Sequence, residues 1–151
     1  MAMAKKKANQ SKQIVNRRAK FDYALDDEFV AGIALTGAET KALRRGHGQL
    51  QGAYVVVKDG ELWLLNAKIM GDNAIRISEE DQTRSRKLLV KRRELEQLAN
   101  AKQNGQSIIP TGILTKGRYI KVRIATGRGK KKYDKREVIK KREQERAARQ
   151  V

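Results

Sequence analysis

Apolar residues recur at alternate positions in the first part of the chain. Residues 21–35 contain two such runs, 21–25 and 29–35, separated by the acidic triplet Asp26-Asp27-Glu28. A period of two is typical of half-buried β-strands. We therefore predict two strands joined by a turn at the acids, with Phe21 either opening the first strand toward the core or facing outward.

A helix is predicted directly after these strands. Thr36 is followed three residues later by Glu39, the spacing of a capping box, and Gly46 suits the left-handed residue after a helix end. The predicted helix covers residues 37–45. We interpret His47, which lies between two glycines, as an exposed loop residue.

Two hairpins follow the same period-two logic. Residues 54–57 and 61–65 flank Asp59-Gly60, a pair that favours a type I′ turn, and we expect Trp63 of the second strand in the core. A second hairpin is predicted over residues 107–125, with Lys116-Gly117 between its strands.

Residues 70–82 have no period and are predicted to be an irregular loop. Residues 84–104 have the composition of a helix that ends before Gly105. Its start would carry Arg84, Arg86 and Lys87, although a helix N-terminus favours anions. Either bound phosphate offsets this repulsion, or the helix begins beyond Lys87 and the three cations lie in a loop.

The elements sum to a fold that is mainly β with some α structure. Several short strands close most readily into a small barrel, because closure removes exposed edges. We expect an OB-like barrel with about two helices over residues 16–126. A flexible basic arm, residues 1–15, precedes it, and a basic tail, residues 127–151, follows it. Acid-to-base pairs four residues apart predict that the tail becomes helical on a partner.

The charge distribution supports this division. The 151 residues carry 35 Lys or Arg against 17 Asp or Glu, a net charge of +18. Most of the excess lies in the first 20 and the last 25 residues, whereas the intervening body is nearly balanced. A balanced body with basic arms is suited to a polyanionic partner.

Several functional classes are disfavoured by composition. The chain has no Cys and one His, so it lacks the residues for thiolate metal sites, disulfides or paired histidine chemistry. No secretory leader or long apolar run is evident, and the usual enzyme motifs are missing. We expect a cytoplasmic binding protein without catalytic residues, metal or cofactor, and without a membrane.

Five blocks of the sequence resemble the SmpB family of SsrA-binding proteins. The blocks occur in the family's order and spacing, and they are residues 16–23 (NRRAKFDY), 31–37 (AGIALTG), 39–44 (ETKALR), 84–89 (RSRKLL) and 129–136 (GKKKYDKR). The resemblance implies an OB-like barrel that binds the tRNA-like domain of tmRNA. It also implies delivery of tmRNA to ribosomes stalled without a stop codon, in the process of trans-translation.

The resemblance also implies two groups of contact residues. By similarity, the residues that contact tmRNA are Asn16, Arg17, Arg18, Lys20, Phe21, Lys41, Arg44, Arg84, Arg86 and Lys87. The residues that enter the decoding centre and the empty messenger channel are Gly129, Lys130, Lys131, Lys132, Tyr133, Asp134, Lys135 and Arg136, with Tyr133 stacking on ribosomal RNA of the small subunit.

Two positions depart from the family pattern. Val30 and Phe21 stand where the family often has Glu and His.

The resemblance implies a monomer whose partners are tmRNA, the ribosome and, through tmRNA, elongation factor Tu. The alternative from composition alone is a structural ribosomal protein, because basic arms on a small barrel suit that role equally well.

Overall fold

The computed structural model describes residues 14–130 and 132–149 of the chain. These residues form nine strands and five helices. The strands are β1 (Ile14–Val15), β2 (Tyr23–Ile33), β3 (Gly48–Gln49), β4 (Tyr54–Lys58), β5 (Glu61–Leu65), β6 (Lys68–Ile69), β7 (Arg86–Leu89), β8 (Ser107–Leu114) and β9 (Lys121–Gly129). The helices are α1 (Arg18–Asp22), α2 (Gly37–Arg44), α3 (Glu79–Gln82), α4 (Arg92–Gln103) and α5 (Lys132–Arg149).

Six of the strands close into a ring. Hydrogen-bonded neighbours run β8-β4-β5-β7-β2-β9, and β9 pairs again with β8. β1 adds to β8 outside the ring, and β3 and β6 form a separate two-stranded sheet. The predicted small barrel, mainly β with helices, is thereby confirmed, although residues 16–126 carry four helices instead of about two, and α5 lies in the predicted tail.

Aliphatic side chains fill the interior of the barrel. The inward residues of the strands meet Leu43 of α2 and Leu98 of α4, and both leucines are fully buried. Burying one such side chain contributes about 1.5–3 kcal/mol. The two helices are therefore fixed against the barrel by their apolar faces.

Two local predictions agree with the structure in detail. Thr36 and Glu39 form the reciprocal capping box of α2, and Gly46 follows with a φ of 82°. The first hairpin turns at Asp59 and Gly60, whose φ values of 54° and 73° place both residues in the left-handed region. Local side-chain and backbone preferences determine both the ends of α2 and the hairpin turn.

The prediction for the first strands is wrong in two respects. Phe21 lies in α1, not at the start of a strand, and the acids at residues 26–28 are not a turn. Instead, β2 is one long strand with a bulge between Leu25 and Glu28. A bulge holds extra residues within a continuing strand, so polar residues at its outward positions look like a turn in the sequence.

The segment from residue 70 to residue 104 also differs from prediction. Ser78 caps the short helix α3 within the expected loop, with its hydroxyl accepting from the Asp81 backbone. The expected long helix is divided into β7 and α4. Of the two alternatives, the helix does begin beyond Lys87. Arg84 lies in the connection before β7, as that alternative expects, but Arg86 and Lys87 lie within the strand.

Strand structure is present on both sides of residues 16–126. Ile14 of β1 is buried and pairs with Ile113 of β8. β9 continues to Gly129, and Gly127 pairs with both Leu25 and Ser107. The start of the predicted tail is therefore strand, and α5 follows it.

Trp63 and His47 also differ from expectation. Leu62 and Leu64 take the inward positions of β5, which turns Trp63 to the outer face, where it lines a groove with Val56 and is partly exposed. His47 is not a fully exposed loop residue, because its Nδ1 atom is buried. Because β5 has apolar residues on both faces, the alternation of inward and outward side chains could not be read from its sequence.

Candidate nucleic-acid interface

The residues expected at the interface do not form one continuous site. The structure places them around α1, in a buried ion cluster at the start of α2, on α2 beside the tip of the β8–β9 hairpin, on the outer face of β7, at the end of β9 and in α5. Each place gives its side chains a different environment. The contacts of each side chain therefore decide which of them can meet a partner.

The exposed cations around α1 form the first group. Arg17, Arg18 and Lys20 are exposed, and the guanidinium of Arg18 lies 4.9 Å from the ring centre of the partly buried Phe21. We call these four residues the α1 surface. Arg18 also forms an ion pair with Asp22 at 3.5 Å, which a phosphate would have to displace. The contact with Phe21 holds the guanidinium in place over the ring.

Asn16 anchors the chain next to the α1 surface through hydrogen bonds to the barrel. Its side chain is buried, and its amide group donates to Pro110 O at 2.9 Å and to Leu50 O at 3.3 Å. Its backbone N–H donates to Thr111 O. Asn16 therefore fixes the chain to the barrel immediately before α1, and both amide hydrogens are already engaged.

A groove of about 480 Å³ adjoins the α1 surface. Its lining combines cations with a largely apolar floor, and it comprises Val15, Asn16, Arg17, Ala19, Lys20, Leu25, Glu28, Thr111, Gly112, Arg123 and Arg142. Arg142 belongs to α5, which contacts α1. The tail helix therefore folds back beside the same surface.

Lys130 joins the end of β9 to α1. Its backbone N–H donates to Asp22 O at 2.8 Å, and its side-chain Nζ donates to Lys20 O at 2.8 Å. Gly129 pairs with Tyr23 at the last position of β9. The first two residues expected at the decoding centre are thus attached to the barrel, next to the α1 surface.

A buried ion cluster lies at the start of α2. The carboxylate of Glu39 accepts from Arg84 Nε at 3.0 Å and from Arg86 Nε at 2.9 Å, and it also accepts from the Thr36 backbone at 2.9 Å. Arg86 is 0% exposed and Glu39 is 1% exposed. One carboxylate thus accepts hydrogen bonds from two guanidinium groups and from the backbone of the α2 N-cap.

Arg86 binds more than Glu39. Its remaining donors reach the carbonyl oxygens of Ala67, Arg84, Asp81 and Gln82, at distances from 2.9 to 3.2 Å. The guanidinium therefore joins α2, the β5–β6 connection, α3 and the start of β7. Because no part of Arg86 is exposed, the structure gives it a positioning role in place of the direct RNA contact expected from the resemblance.

The pKa values of this cluster reflect the competition between burial and charge. Burial raises the pKa of Glu39, but hydrogen bonds from Arg84, the Thr36 backbone and Arg86 outweigh it and hold the pKa below its ordinary value. Burial lowers the pKa of Arg86, and Glu39 partly offsets that effect. Both groups remain charged near neutral pH.

Arg44 and Lys41 lie on α2, near the second hairpin. Arg44 donates to Thr115 O at 2.8 Å and to Arg118 O at 3.1 Å, so its guanidinium holds the hairpin turn. Lys41 is exposed on the same helix. Of these two expected contact residues, Lys41 has its charge exposed to solvent. Arg44 uses two of its N–H donors in hydrogen bonds within the protein.

Lys87 and Val30 lie on outward strand positions. Lys87 forms an ion pair with Glu61, and both side chains are about two-fifths exposed, at 42% and 40%. Val30 is exposed and pairs across the strands with Arg123. Neither departure from the family pattern, at Val30 or at Phe21, disturbs the core.

The remaining expected residues belong to the tail. Lys132, Tyr133, Asp134, Lys135 and Arg136 fall within the backbone of α5, whereas Lys131 lies outside the described residues. Sequence reasoning placed these residues in a helix that forms on a partner. That part of the expectation stays a prediction.

The described residues lack two kinds of feature. No group of three or more His, Cys, Asp or Glu residues there could hold a metal ion. None of the helices in that part of the chain combines the length and apolarity that a membrane crossing needs.

The fold and the exposed cations define a class of protein: a small basic β-barrel with surface charges arranged for a polyanion. The family model described as SmpB protein matches residues 13–151. The chain belongs to the SmpB family.

Individual relatives are similar over most of their length. The SsrA-binding protein of Koribacter versatilis (strain Ellin345) is 43% identical over 138 residues, covering 91% of this chain and 79% of that protein. The SsrA-binding protein of Streptococcus thermophilus (strain ATCC BAA-491 / LMD-9) is 39% identical, covering 90% and 89%. A chain in a solved structure described as "tmRNA-SmpB: a journey to the center of the bacterial ribosome" has a TM-score of 0.66 and 38% identity, covering 80% of this chain and 85% of that one.

Proposed function

We propose that this protein is a tmRNA-binding adaptor for trans-translation. The barrel binds the tRNA-like domain of tmRNA and brings it to ribosomes that are stalled without a stop codon. The observation that carries the proposal is the α1 surface, where three exposed cations and a ring lie on a rigid barrel. A rigid surface of this kind suits recognition of a folded RNA by its shape.

The direct contacts are assigned to the exposed side chains. Arg17, Arg18, Lys20 and Lys41 meet tmRNA phosphates, and Arg18 does so by displacing its partner Asp22. Phe21 lies beside Arg18. Asn16, Arg44 and Arg86 hold the surrounding backbone in position, since their donors are bound within the protein. Arg84 and Lys87 are partly exposed, and both are held by carboxylates that RNA phosphates would have to displace.

The tail is assigned to the ribosome. Residues 129–136 meet the decoding centre of the small subunit, and the rest of α5 lies in the empty messenger channel. Eleven Lys or Arg among the last 25 residues suit a channel lined by RNA phosphates. Gly129 and Lys130, which are bound beside α1, connect the two functions, because the tail leaves the barrel next to the α1 surface.

No chemical step is assigned to the protein. It acts by binding alone, in the cytoplasm where ribosomes work, as a monomer, and elongation factor Tu meets it through tmRNA. The reaction chemistry belongs to the ribosome and to tmRNA. This proposal therefore requires neither a metal nor a cofactor.

A salt-varied binding titration tests the proposal. The full chain is titrated against the tRNA-like domain of tmRNA, an ordinary tRNA and a duplex DNA of matching length. We expect binding to the tRNA-like domain to persist at physiological salt while the other two are released. Equal, salt-sensitive binding to all three would contradict the proposal, because it would show that the surface attracts any polyanion by charge alone.

A further inference from the structure

The tip of the β8–β9 hairpin carries an exposed ring that the proposed function does not use. We define the hairpin tip as Lys116, Gly117, Arg118 and Tyr119. Tyr119 is 67% exposed, the largest fraction among the exposed large hydrophobic side chains of the described residues. We propose that the hairpin tip binds an unpaired RNA nucleotide, with the base stacked on Tyr119 and the phosphates bound by Lys116 and Arg118.

The backbone of the tip is held in one conformation. Arg44 donates to Thr115 O and Arg118 O, which lie on either side of the turn, and Gly117 has a φ of 89°. Ile120, which follows the tip, is buried in the core. Tyr119 is therefore presented on an anchored turn, and little ordering of the backbone is needed when a ligand binds.

The charges around Tyr119 have one sign. Arg118 lies 5.6 Å from the Tyr119 ring centre, and Lys116 and Lys121 are exposed on either side. Residues 115–128 include no Asp or Glu. Within the described part of the chain, none of these three cations forms an ion pair. A ring with cations on both sides matches a nucleotide, which offers a flat base and a negative phosphate.

The hairpin tip is separate from the α1 surface. It precedes β9, whereas Lys130, at the other end of β9, contacts α1. Nine extended residues that rise about 3.3 Å each place the two surfaces roughly 26 Å apart. An RNA contact at the tip therefore adds to the proposed function and does not depend on the α1 contacts.

Substitution of Tyr119 tests the proposal in the full-length protein. Tyr119→Ala removes the stacking surface and Tyr119→Phe keeps it, while Leu89→Ala removes another exposed apolar side chain, 55% exposed against 67% for Tyr119, from a different strand. Each variant is titrated in two arms, with the tRNA-like domain of tmRNA and with isolated small ribosomal subunits. The arms distinguish the two sources of an unpaired nucleotide.

We expect Tyr119→Ala to weaken binding about 5- to 150-fold in at least one arm, the effect of removing one base-stacking contact. Tyr119→Phe and Leu89→Ala should bind like the natural sequence. The arm that loses affinity identifies the RNA. Unchanged binding of Tyr119→Ala in both arms would overturn the proposal, and so would an equal loss in Tyr119→Phe.

The result can be separated from failure of the proposed function. If the unsubstituted protein does not prefer the tRNA-like domain, the proposed function fails whatever Tyr119 does. If the unsubstituted protein binds well and Tyr119→Ala binds equally well, only the hairpin tip is refuted. Thermal unfolding of each variant shows that the fold is retained, which we expect because Tyr119 is exposed.

Discussion

Removing the charge of Glu39 should destabilise the barrel strongly. In the structure this buried carboxylate neutralises Arg86, which has no exposed surface, and also binds Arg84 and the α2 cap. Loss of one partner from a buried ion pair costs about 3–5 kcal/mol, because the other charge stays buried. We expect that loss for Glu39→Ala, and about 2–3 kcal/mol for Glu39→Gln, which keeps an acceptor.

Urea unfolding measures this loss, and Trp63, the only Trp of the chain, supplies the fluorescence signal. Domains of this size are stable by only about 5–15 kcal/mol, so the shift in midpoint will be large. The matched control is Glu61→Gln, which breaks an exposed ion pair with Lys87. Such exposed pairs contribute about 0–1 kcal/mol.

The effect of Glu39→Gln should also depend on pH. The folded-state pKa of Glu39 lies below its ordinary value of 4.5. Its contribution is therefore complete above pH 4.5 and is lost as the pH falls through the lowered folded-state value. The gap in unfolding free energy between the natural sequence and Glu39→Gln should close on acidification. A Glu39→Gln variant no less stable than Glu61→Gln at pH 7 would refute the reasoning.

The remaining predictions concern binding and the tail. Arg86→Lys should lower the midpoint of urea unfolding, because one ammonium cannot reach the acceptors that the guanidinium binds. Arg17→Ala with Lys20→Ala should reduce the slope of log affinity for the tRNA-like domain against log salt by about 1.4–1.8, with an unchanged melting temperature. Tyr133→Ala or Asp134→Ala should spare binding to free tmRNA yet abolish tagging in a reconstituted stalled-ribosome assay; loss of RNA binding would contradict the separation of tail from barrel. A synthetic tail peptide should show little helix by circular dichroism.

Elements governed by neighbouring residues were predictable. The capping box of Thr36 and Glu39 and the Asp59-Gly60 turn each depend on a few local atoms, and both appear as expected. The number of short strands extended this to the barrel as a whole, because closure removes exposed edges. Local rules also fail where a distant segment decides the conformation.

The start of β7 shows how such a failure arises. Residues 86–89 alternate inward and outward, but the inward set begins with Arg86, a residue type that is almost never fully buried unless paired. Its partner Glu39 lies 47 residues away. The sequence alone therefore concealed both the strand and the buried ion cluster, and it assigned to RNA binding an arginine that is used inside the protein.

Closure of the barrel has a consequence for the folding of the newly made chain. The ring is completed by β2 and β9, where the Asp27 backbone meets the Thr126 hydroxyl across 99 residues of sequence. Contacts between residues so distant in sequence are slow to form, because a long loop must be ordered before any of them is gained. The edge of β2 that pairs with β9 therefore stays unpaired until nearly the whole chain has been synthesised. A premature end of synthesis anywhere before β9 would leave an open and aggregation-prone sheet.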